Sequence, residues 1–217
     1  MKTAAFTKTY GTRTVLTLPE LTLTPGEITA VIGANGSGKS TFAKVLAGIE
    51  PPDGKQAVLP GVSVGYLPQK PFAFRMSTEK NVLLGGDDAA QAAALMHVLG
   101  LDALARQSAK RLSGGETAKM ALCRSLMGRY DLLILDEPTA AMDMESTLAA
   151  EALIRKTCED RRCAILLITH SIQQARRLAQ RVLVLHRGTL IEQGQSPQIL
   201  DAPAQAQTKR FLDYYGV

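Results

Sequence analysis

A glycine-rich segment carries the clearest chemical signal in this sequence. Residues 33–41, Gly-Ala-Asn-Gly-Ser-Gly-Lys-Ser-Thr, fill every fixed position of the phosphate-binding loop pattern G-x-x-x-x-G-K-[ST]. An apolar, strand-like run precedes the loop at 27–32, and a helical pattern follows it at 41–47, which is the context the loop requires. The segment therefore predicts a binding site for a nucleoside triphosphate.

Each residue type in this loop has a physical task. The glycines let the backbone curl so that successive N–H groups point at phosphate oxygens, assisted by the positive end of the following helix. Lys39 is expected to neutralise the β- and γ-phosphates, and the Ser40 hydroxyl is expected to ligate Mg²⁺. The predicted nucleotide-binding residues of the loop are Gly33, Asn35, Gly36, Ser37, Gly38, Lys39, Ser40 and Thr41.

Two adjacent carboxylates end a second apolar run at 132–135. A parallel strand would deliver Asp136 and Glu137 beside the phosphate loop. Asp136 suits Mg²⁺ through a water molecule, whereas Glu137 suits activation of the water that attacks the γ-phosphate. Without the upstream loop, a solvated strand end would explain the pair equally well.

A serine–glycine–glycine segment lies between these two elements, within residues 112–116. Because a helix is expected to begin there, its hydroxyl and backbone N–H groups form a second potential anion site. Taken with the loop upstream and the carboxylates downstream, it resembles the LSGGQ or LSGGE signature of the ATP-binding cassette family. The resemblance spans nearly the whole chain, and it implies nucleotide contacts from Ser113, Gly114, Gly115 and Glu116.

Further residues match landmarks of that family in the same order along the chain. Gln69 matches the Q-loop glutamine, which implies contact with Mg²⁺ and the attacking water, and coupling to a membrane partner. His170 matches the switch histidine, which implies a hydrogen bond to the γ-phosphate, and Asp143 matches the loop that touches the partner's active site in cassette dimers. The resulting catalytic set is Glu137, His170, Gln69 and Lys39, and the metal set is Ser40, Gln69 and Asp136.

An aromatic side chain near the amino terminus is expected to stack on the adenine ring. Tyr10 resembles the stacking aromatic of the family, and Phe6 is the alternative candidate. One departure from the family pattern is Lys119, which stands where an arginine is common; lysine keeps the positive charge but loses the planar fork. The loop before Asp143 also differs, since it has Ala-Ala-Met where Ser-Ala-Leu is frequent.

The order of strand and helix patterns predicts an α/β fold. Beyond residue 132 strands and helices alternate, which favours parallel strands joined by right-handed crossovers. The resemblance implies a P-loop NTPase core with a mainly parallel sheet. Alternation at 15–18 and 20–23 predicts an N-terminal antiparallel β subdomain, and an alanine-rich helix is expected at 88–99. The predicted organisation is one domain over 1–217, with a catalytic core formed by 1–70 and 129–217 and a helical signature subdomain at 71–128.

Composition agrees with a cytosolic catalytic unit of 217 residues. No apolar run approaches the ~20 residues that span a bilayer, and the first residues lack the apolar region of a signal peptide. The three cysteines have no metal-ligand spacing and fit reduced packing positions. Although the net charge is +5, the basic residues are dispersed, so no nucleic-acid partner is expected.

Two anion sites that one ATP cannot reach within one subunit predict a shared site. The resemblance implies a head-to-tail dimer, a homodimer or a pair of ATPase subunits, with two ATP molecules between them. ATP binding would drive closure of the dimer, and ATP hydrolysis would allow the dimer to open again. The helical segment beginning at Pro71 would then pass this motion to a transmembrane permease, which places the chain on the inner face of the cell membrane.

These inferences favour the ATP-hydrolysing subunit of a transporter. The tail at 188–212 resembles importer subunits, which adds an extracytoplasmic solute-binding protein as a candidate partner. The segment at 67–77 with Asn81 and Val82 resembles that of subunits serving small anions, including tungstate or phosphate, or polar amino acids. The alternatives are an exporter subunit, a cassette ATPase that acts on DNA or ribosomes, and a small-molecule kinase. Such DNA or ribosome enzymes usually carry long insertions or two cassettes, and a kinase would leave the signature segment and His170 unexplained.

Overall fold

A computed structural model describes residues 1–54 and 58–215 as a sheet with helices on both faces. The strands are β1 (Phe6–Tyr10), β2 (Arg13–Leu18), β3 (Ile28–Ile32), β4 (Val64–Leu67), β5 (Leu132–Asp136), β6 (Ala164–Ile168), β7 (Arg181–His186) and β8 (Thr189–Gln195). The helices are α1 (Lys39–Leu46), α2 (Thr78–Leu83), α3 (Ala89–Val98), α4 (Gly114–Met127), α5 (Met144–Arg161), α6 (Ile172–Leu178), α7 (Ser196–Asp201) and α8 (Ala206–Tyr215).

Among the described residues, the sheet has eight strands in the order β1-β2-β8-β7-β3-β6-β5-β4. Its central strands β3, β5 and β6 pair in parallel and are buried at every position, which is why they are continuous apolar runs. Parallel pairing brings their carboxyl ends to one edge, where Val31 and Asp136 both pair with Ile168. The phosphate loop, the paired carboxylates and His170 follow these strands directly, so the topology gathers them at one edge.

The amino-terminal strands form an antiparallel hairpin, but not from the two runs that alternation predicted. β2 pairs with β1 rather than with residues 20–23, where Thr22 makes only an isolated bridge to Lys2. Pro19 follows β2 directly, and its missing N–H favours the end of a strand there. β2 also pairs in parallel with β8 through Thr17 and Thr189, so the hairpin extends the main sheet.

Three helices, α2 to α4, and two 3₁₀ turns lie between β4 and β5. The predicted helix at 88–99 is α3, whose start is capped because the Asp88 carboxylate accepts a hydrogen bond from the Gln91 N–H. Buried Asn81 fixes the chain that enters this segment, since its side chain exchanges hydrogen bonds with the Phe74 backbone. Within 1–54 and 58–215, no helix is long and apolar enough to cross a membrane.

Candidate nucleotide-binding site

The phosphate loop joins β3 to α1 and depends on glycine at two tightly packed positions. Gly33 has φ 150°, and a Cβ there would lie 2.2 Å from the Leu185 carbonyl oxygen. Gly38 has φ 103°, and a Cβ there would lie 2.6 Å from a methyl group of Leu16. Both the backbone conformation and the neighbouring atoms therefore exclude a side chain, which explains these two fixed glycines of the pattern.

Lys39 is held at the centre of this loop. Its buried ammonium donates hydrogen bonds to the carbonyl oxygens of Gly33 at 2.7 Å and Ala34 at 3.0 Å. Burial lowers the pKa of Lys39, while the charges of Glu137 and Asp136 act in the opposite direction. A bound phosphate would offer this ammonium charged oxygens in place of the two carbonyl oxygens.

A cavity of about 590 Å³ opens over the loop, a size that suits a nucleotide. Eight predicted site residues line it, namely Asn35, Gly36, Gly38, Lys39, Ser40, Thr41, Gln69 and Glu137. Gly33 and Ser37 are instead buried within the loop, where the Gly188 N–H donates to the Ser37 carbonyl at 3.0 Å. These two residues shape the loop rather than line the cavity.

Four further residues, which the sequence motifs did not indicate, also line the cavity: Arg13, Thr14, Val15 and Arg187. The first three lie on β2, one turn away from the predicted aromatic residue Tyr10. Arg187 occupies the turn between β7 and β8 with φ 48°, a conformation uncommon for a residue with a side chain. Arg13 and Arg187 add positively charged side chains to the cavity wall, which would favour a polyphosphate.

Asp136 is the last residue of β5 and has the character of a metal-site carboxylate. It is buried, its Oδ1 atom has no hydrogen-bond partner in the described part of the chain, and its Oδ2 accepts a bond from the Tyr66 hydroxyl at 3.4 Å. Burial raises the pKa of the Asp136 carboxyl; the nearby Ser40 hydroxyl acts against that shift, and the charge of Glu137 adds to it. A cation bound here would satisfy Oδ1.

The donor set fits Mg²⁺ better than a metal caged by protein ligands. Ser40 and Gln69 line the cavity, and the Ser40 hydroxyl lies close to the Asp136 carboxylate. No cluster of three or more His, Cys, Asp or Glu side chains suited to a metal occurs within 1–54 and 58–215. Mg²⁺ commonly binds through one or two side chains together with substrate phosphates. The residues present therefore match the expected Mg²⁺ bound with ATP.

Glu137 and His170 form a contact pair at the carboxyl ends of β5 and β6. The His170 Nδ1 atom lies 2.9 Å from Glu137 Oε2, and the Glu137 side chain is mostly shielded while the imidazole is half exposed. The Glu137 N–H donates to the Ile168 carbonyl at 2.9 Å, which fixes its backbone against β6. With Nδ1 engaged, Nε2 is the nitrogen that would serve the predicted γ-phosphate contact.

The signature segment does not line this cavity. Ser113 caps α4 and forms reciprocal hydrogen bonds with Glu116, while Ser113 and Gly114 are both exposed. Gly114 borders a separate cleft of about 240 Å³ whose walls include Gln69 and Glu137. The second anion site is thus formed on the surface, apart from the phosphate loop of the same chain.

Asp143 is also separated from the cavity. It caps α5 by accepting a hydrogen bond from the Ser146 N–H at 2.8 Å, and these contacts lower the pKa of Asp143. Lys119 of α4 places its ammonium 4.0 Å from the Asp143 carboxylate, so the position that departs from the family pattern faces the loop that carries Asp143. The signature helix and this loop are therefore in electrostatic contact within one chain.

The two aromatic candidates for adenine stacking differ in their surroundings. Phe6 is buried and stacks on Phe42 with ring centroids 6.3 Å apart, so it cannot reach a ligand. Tyr10 is 47% exposed but does not line the cavity, and its hydroxyl donates to the Glu50 carboxylate. It pairs across the hairpin with Arg13, which does line the cavity, so adenine stacking by Tyr10 stays a prediction.

Substitution of Tyr10 separates stacking from its hydrogen bond to Glu50. Tyr10→Ala is expected to weaken nucleotide affinity by about 0.5–1.5 kcal/mol, the range for one aromatic contact, with hydrolysis retained at saturating ATP. Tyr10→Phe keeps the ring and should bind ATP as the wild type does. Titration with a fluorescent ATP analogue measures both variants, and equal affinity of the alanine variant would show that Tyr10 does not stack on adenine.

The comparisons with known sequences give one consistent family. The family model described as "ABC transporter" matches residues 16–140. The aliphatic sulfonates import ATP-binding protein SsuB 1 of Nocardia farcinica (strain IFM 10152) is 38% identical over 186 residues, which cover 83% of this chain and 76% of that protein. SsuB 2 of Paracoccus denitrificans (strain Pd 1222), also named for aliphatic sulfonates import, is 34% identical, covering 97% and 89%. The methionine import ATP-binding protein MetN of Mesorhizobium japonicum (strain LMG 29417 / CECT 9101 / MAFF 303099) is 32% identical, covering 94% and 62%.

Solved structures match the fold at low sequence identity. A structure described as the ATP-binding subunit of an ABC transporter has a TM-score of 0.83 at 21% identity, covering all of this chain and 99% of that chain. A bacterial Atm1-family ABC exporter with ATP bound has a TM-score of 0.85, also at 21% identity, and this chain covers 42% of it. Both likenesses confirm the predicted α/β architecture.

Proposed function

The chain belongs to the ABC transporter family, and from that membership we propose that it is the ATP-hydrolysing subunit of a solute importer. The observation that carries the proposal is the cavity over the phosphate loop, with Glu137 in its wall and His170 2.9 Å from that carboxylate. The site combines a cationic loop for phosphates with a carboxylate base at the position where water would attack.

Hydrolysis would proceed by attack of water on the γ-phosphorus of ATP. Glu137 accepts a proton from the water as the new P–O bond forms, and the electron pair of the broken bond leaves on the β-phosphate oxygen of ADP. Lys39 neutralises charge on the phosphates, and His170 holds the Glu137 carboxylate in position. Bound Mg²⁺, held by Ser40, Asp136 and Gln69, would stabilise negative charge on the β- and γ-phosphates.

The exposed signature segment supports a site shared by two subunits. Ser113 and Gly114 are exposed and absent from the cavity wall. The Ser113 N–H is engaged by the Glu116 carboxylate, but the Ser113 hydroxyl hydrogen and the Gly114 N–H can meet a phosphate held by another copy. A γ-phosphate bound from both sides would favour a closed head-to-tail dimer, and its release would favour opening. We propose that this closing and opening of the dimer supplies the mechanical work for transport.

An exposed aromatic surface beside Gln69 is the proposed contact with the permease. This docking face consists of Phe72, Phe74, Lys110 and Arg124; the two phenyl rings meet edge to face at 5.0 Å and are 57% and 42% exposed. The Lys110 ammonium lies 4.2 Å from the Phe72 ring centroid, and Arg124 donates to the Phe72 carbonyl at 2.9 Å. The mixture fits a cytoplasmic permease segment with apolar and acidic side chains.

Reconstitution with the permease in lipid vesicles tests this function. The wild-type complex should take up solute only with ATP, and the permease should stimulate ATP turnover. The Phe72→Ala/Phe74→Ala double variant should weaken permease binding by about tenfold or more, because exposed aromatic anchors often dominate an interface. Its ATP turnover without the permease should stay within about twofold of wild type.

Tyr214→Ala is the matched control, because Tyr214 is another exposed aromatic and lies on α8, far along the chain from the docking face. It should preserve uptake and stimulation. Wild-type coupling in the Phe72→Ala/Phe74→Ala variant would contradict the docking assignment. ATP-driven release of solute from right-side-out vesicles, rather than uptake, would contradict import and favour the exporter alternative.

We propose an organic sulfonate as the solute class. Two of the three relatives reported above are named for import of aliphatic sulfonates and have the higher identities, 38% and 34%, whereas the third, at 32%, is named for methionine import. None of the three is named for tungstate or phosphate. Uptake of ethanesulfonate, measured against methionine, phosphate and tungstate in the same vesicles, identifies the class. We also propose that an extracytoplasmic binding protein delivers the solute, so uptake should require that protein in the same vesicle assay.

A further inference from the structure

A buried run of side-chain hydrogen bonds ties the loop after β5 to helix α6. The Gln174 amide nitrogen donates to the Thr139 hydroxyl at 2.9 Å and to Glu151 Oε1 at 3.2 Å. Arg177 pairs with the same Glu151 carboxylate through two bonds of 2.7 Å. Gln174 and Glu151 are both more than 95% buried, so their polar atoms depend on these partners rather than on water.

Two residues of this network are close in sequence to the members of the Glu137–His170 pair. Thr139 is two residues beyond Glu137, and Gln174 lies on the helix that begins immediately after His170 and Ser171. The bond between Thr139 and Gln174 thus closes a bridge between the loop that carries the carboxylate and the element that carries the imidazole. At 2.9 Å and partly buried, this hydrogen bond holds the loop and the helix at a fixed separation.

Glu137 has a backbone conformation that needs such support. Its φ of 51° lies in the left-handed region. For a residue other than glycine this conformation has a free-energy cost, so it is kept only where surrounding contacts hold it in place. The Glu137 N–H bond to the Ile168 carbonyl holds one side of this residue. The Thr139 side chain supplies an anchor on the other side, and the Thr139 carbonyl accepts the Met142 N–H at 3.0 Å.

We propose that Gln174 is a positioning residue for ATP hydrolysis, which acts by holding Thr139 so that the Glu137 carboxylate stays 2.9 Å from His170. The proposal rests on the proposed role of Glu137 as the base. Gln174 does not line the nucleotide cavity, so it should affect the rate of hydrolysis, through the position of Glu137, rather than the affinity for ATP. ATP binding, which uses the phosphate loop, should be independent of it.

The network allows the tie to be removed without leaving a buried charge unpaired. If Gln174 is replaced by methionine, Glu151 keeps both bonds to Arg177. If Thr139 is replaced by valine, the Gln174 amide keeps its bond to Glu151. Both changes delete the bond between Thr139 and Gln174, and each keeps the side chain close to its original volume. Gln174→Met also removes the bond to Glu151, so Thr139→Val is the more selective of the two.

Gln174→Met and Thr139→Val are each expected to lower kcat about tenfold, with KM and ATP affinity within about twofold of wild type. Thr139→Ser keeps the hydroxyl and should retain turnover close to wild type. Gln173→Met is the matched control, since Gln173 is the exposed neighbour on the same helix, and it should have no effect. Turnover is measured well below each variant's melting temperature, with affinity from a fluorescent ATP analogue.

A double-mutant cycle decides whether the two residues act through one bond. If they do, Gln174→Met/Thr139→Val should be no slower than the slower single variant. Multiplying losses, or wild-type kcat in both folded single variants, would overturn the proposal. If Gln174→Met does not fold, Thr139→Val and its serine rescue test the same bond from the other end.

The Glu137→Gln variant, measured in parallel, separates this proposal from the one on which it rests. Inactive Glu137→Gln beside fully active Gln174→Met and Thr139→Val would overturn the positioning role alone. Fully active Glu137→Gln would overturn the assignment of the base and the positioning role with it. Loss of turnover in all three variants, with the serine rescue, is the result expected.

Discussion

Glu137→Gln is expected to lower ATP turnover by about 10²-fold or more while ATP still binds. The amide has nearly the shape of the carboxylate and can still meet the His170 Nδ1 atom, which lies 2.9 Å away in the native pair. It cannot accept the proton that the attacking water must lose. Dimers should therefore accumulate with ATP and Mg²⁺, and phosphate release together with size-exclusion chromatography measures both effects.

Glu145→Gln provides the control for this change, because Glu145 is an exposed glutamate at the start of α5. It removes the same charge from the same region and should leave turnover and oligomeric state unchanged. A Glu137→Gln protein that hydrolyses ATP at the normal rate and remains monomeric with ATP would rule out Glu137 as the base.

The phosphate loop could be predicted from sequence because its shape depends on local backbone constraints. Gly33 and Gly38 adopt positive φ angles against atoms that a side chain would strike, and no other residue type meets both demands. The lysine that follows is placed by the same turn. A short pattern therefore specifies the position of Lys39 almost completely.

The meeting of Glu137 with His170 was predictable in place but not in detail. Continuous apolar runs indicate buried parallel strands, and parallel strands end at one edge of a sheet, so residues after β5 and β6 had to be neighbours. The direct contact of 2.9 Å and the αL backbone of Glu137 depend on the exact pairing of Asp136 with Ile168. Spacing along the chain carries no information on that register.

Residues that reach the site through distant contacts left no signal in the sequence. Arg187 enters the cavity wall because β8 returns antiparallel to β7 and places their turn beside the phosphate loop. The Tyr10 hydroxyl engages Glu50, forty residues away, and Phe6 turns inward to stack on Phe42. The Tyr10 and Phe6 contacts depend on how the amino-terminal hairpin packs on α1 and the segment after it, which local periodicity does not describe.

The other large effect is expected from mixing two inactive variants, Lys39→Ala and Gly114→Asp. Lys39→Ala removes the ammonium from the phosphate loop, whereas Gly114→Asp puts a carboxylate where the signature would meet the γ-phosphate. The signature segment does not line the cavity of its own chain, so in the proposed head-to-tail dimer the two lesions would affect opposite halves of a shared site. Each homodimer should be inactive because both of its sites are damaged.

Gly114 is the better of the two signature glycines for this test. A Cβ on Gly114 would meet no atom within 4 Å, whereas a Cβ on Gly115 would lie 2.8 Å from the Ala141 carbonyl oxygen. Aspartate at the start of α4 is also favourable for the helix, so Gly114→Asp should fold. Gly114→Asn has the same shape without the charge, and higher activity in this variant would show that repulsion, rather than bulk, inactivates the site.

In a mixed head-to-tail dimer one site receives both lesions, and the other joins the intact loop of the Gly114→Asp chain to the intact signature of the Lys39→Ala chain. Random assortment makes about half of the dimers mixed, with one good site in two, so about a quarter of wild-type activity should return. Interdependent sites would return less. Phosphate release from the variants alone and mixed, with the permease present to favour pairing, measures the recovery. Demonstrated heterodimers without any recovery would contradict the shared site, because a site complete within one chain gives no reason for two damaged chains to repair each other.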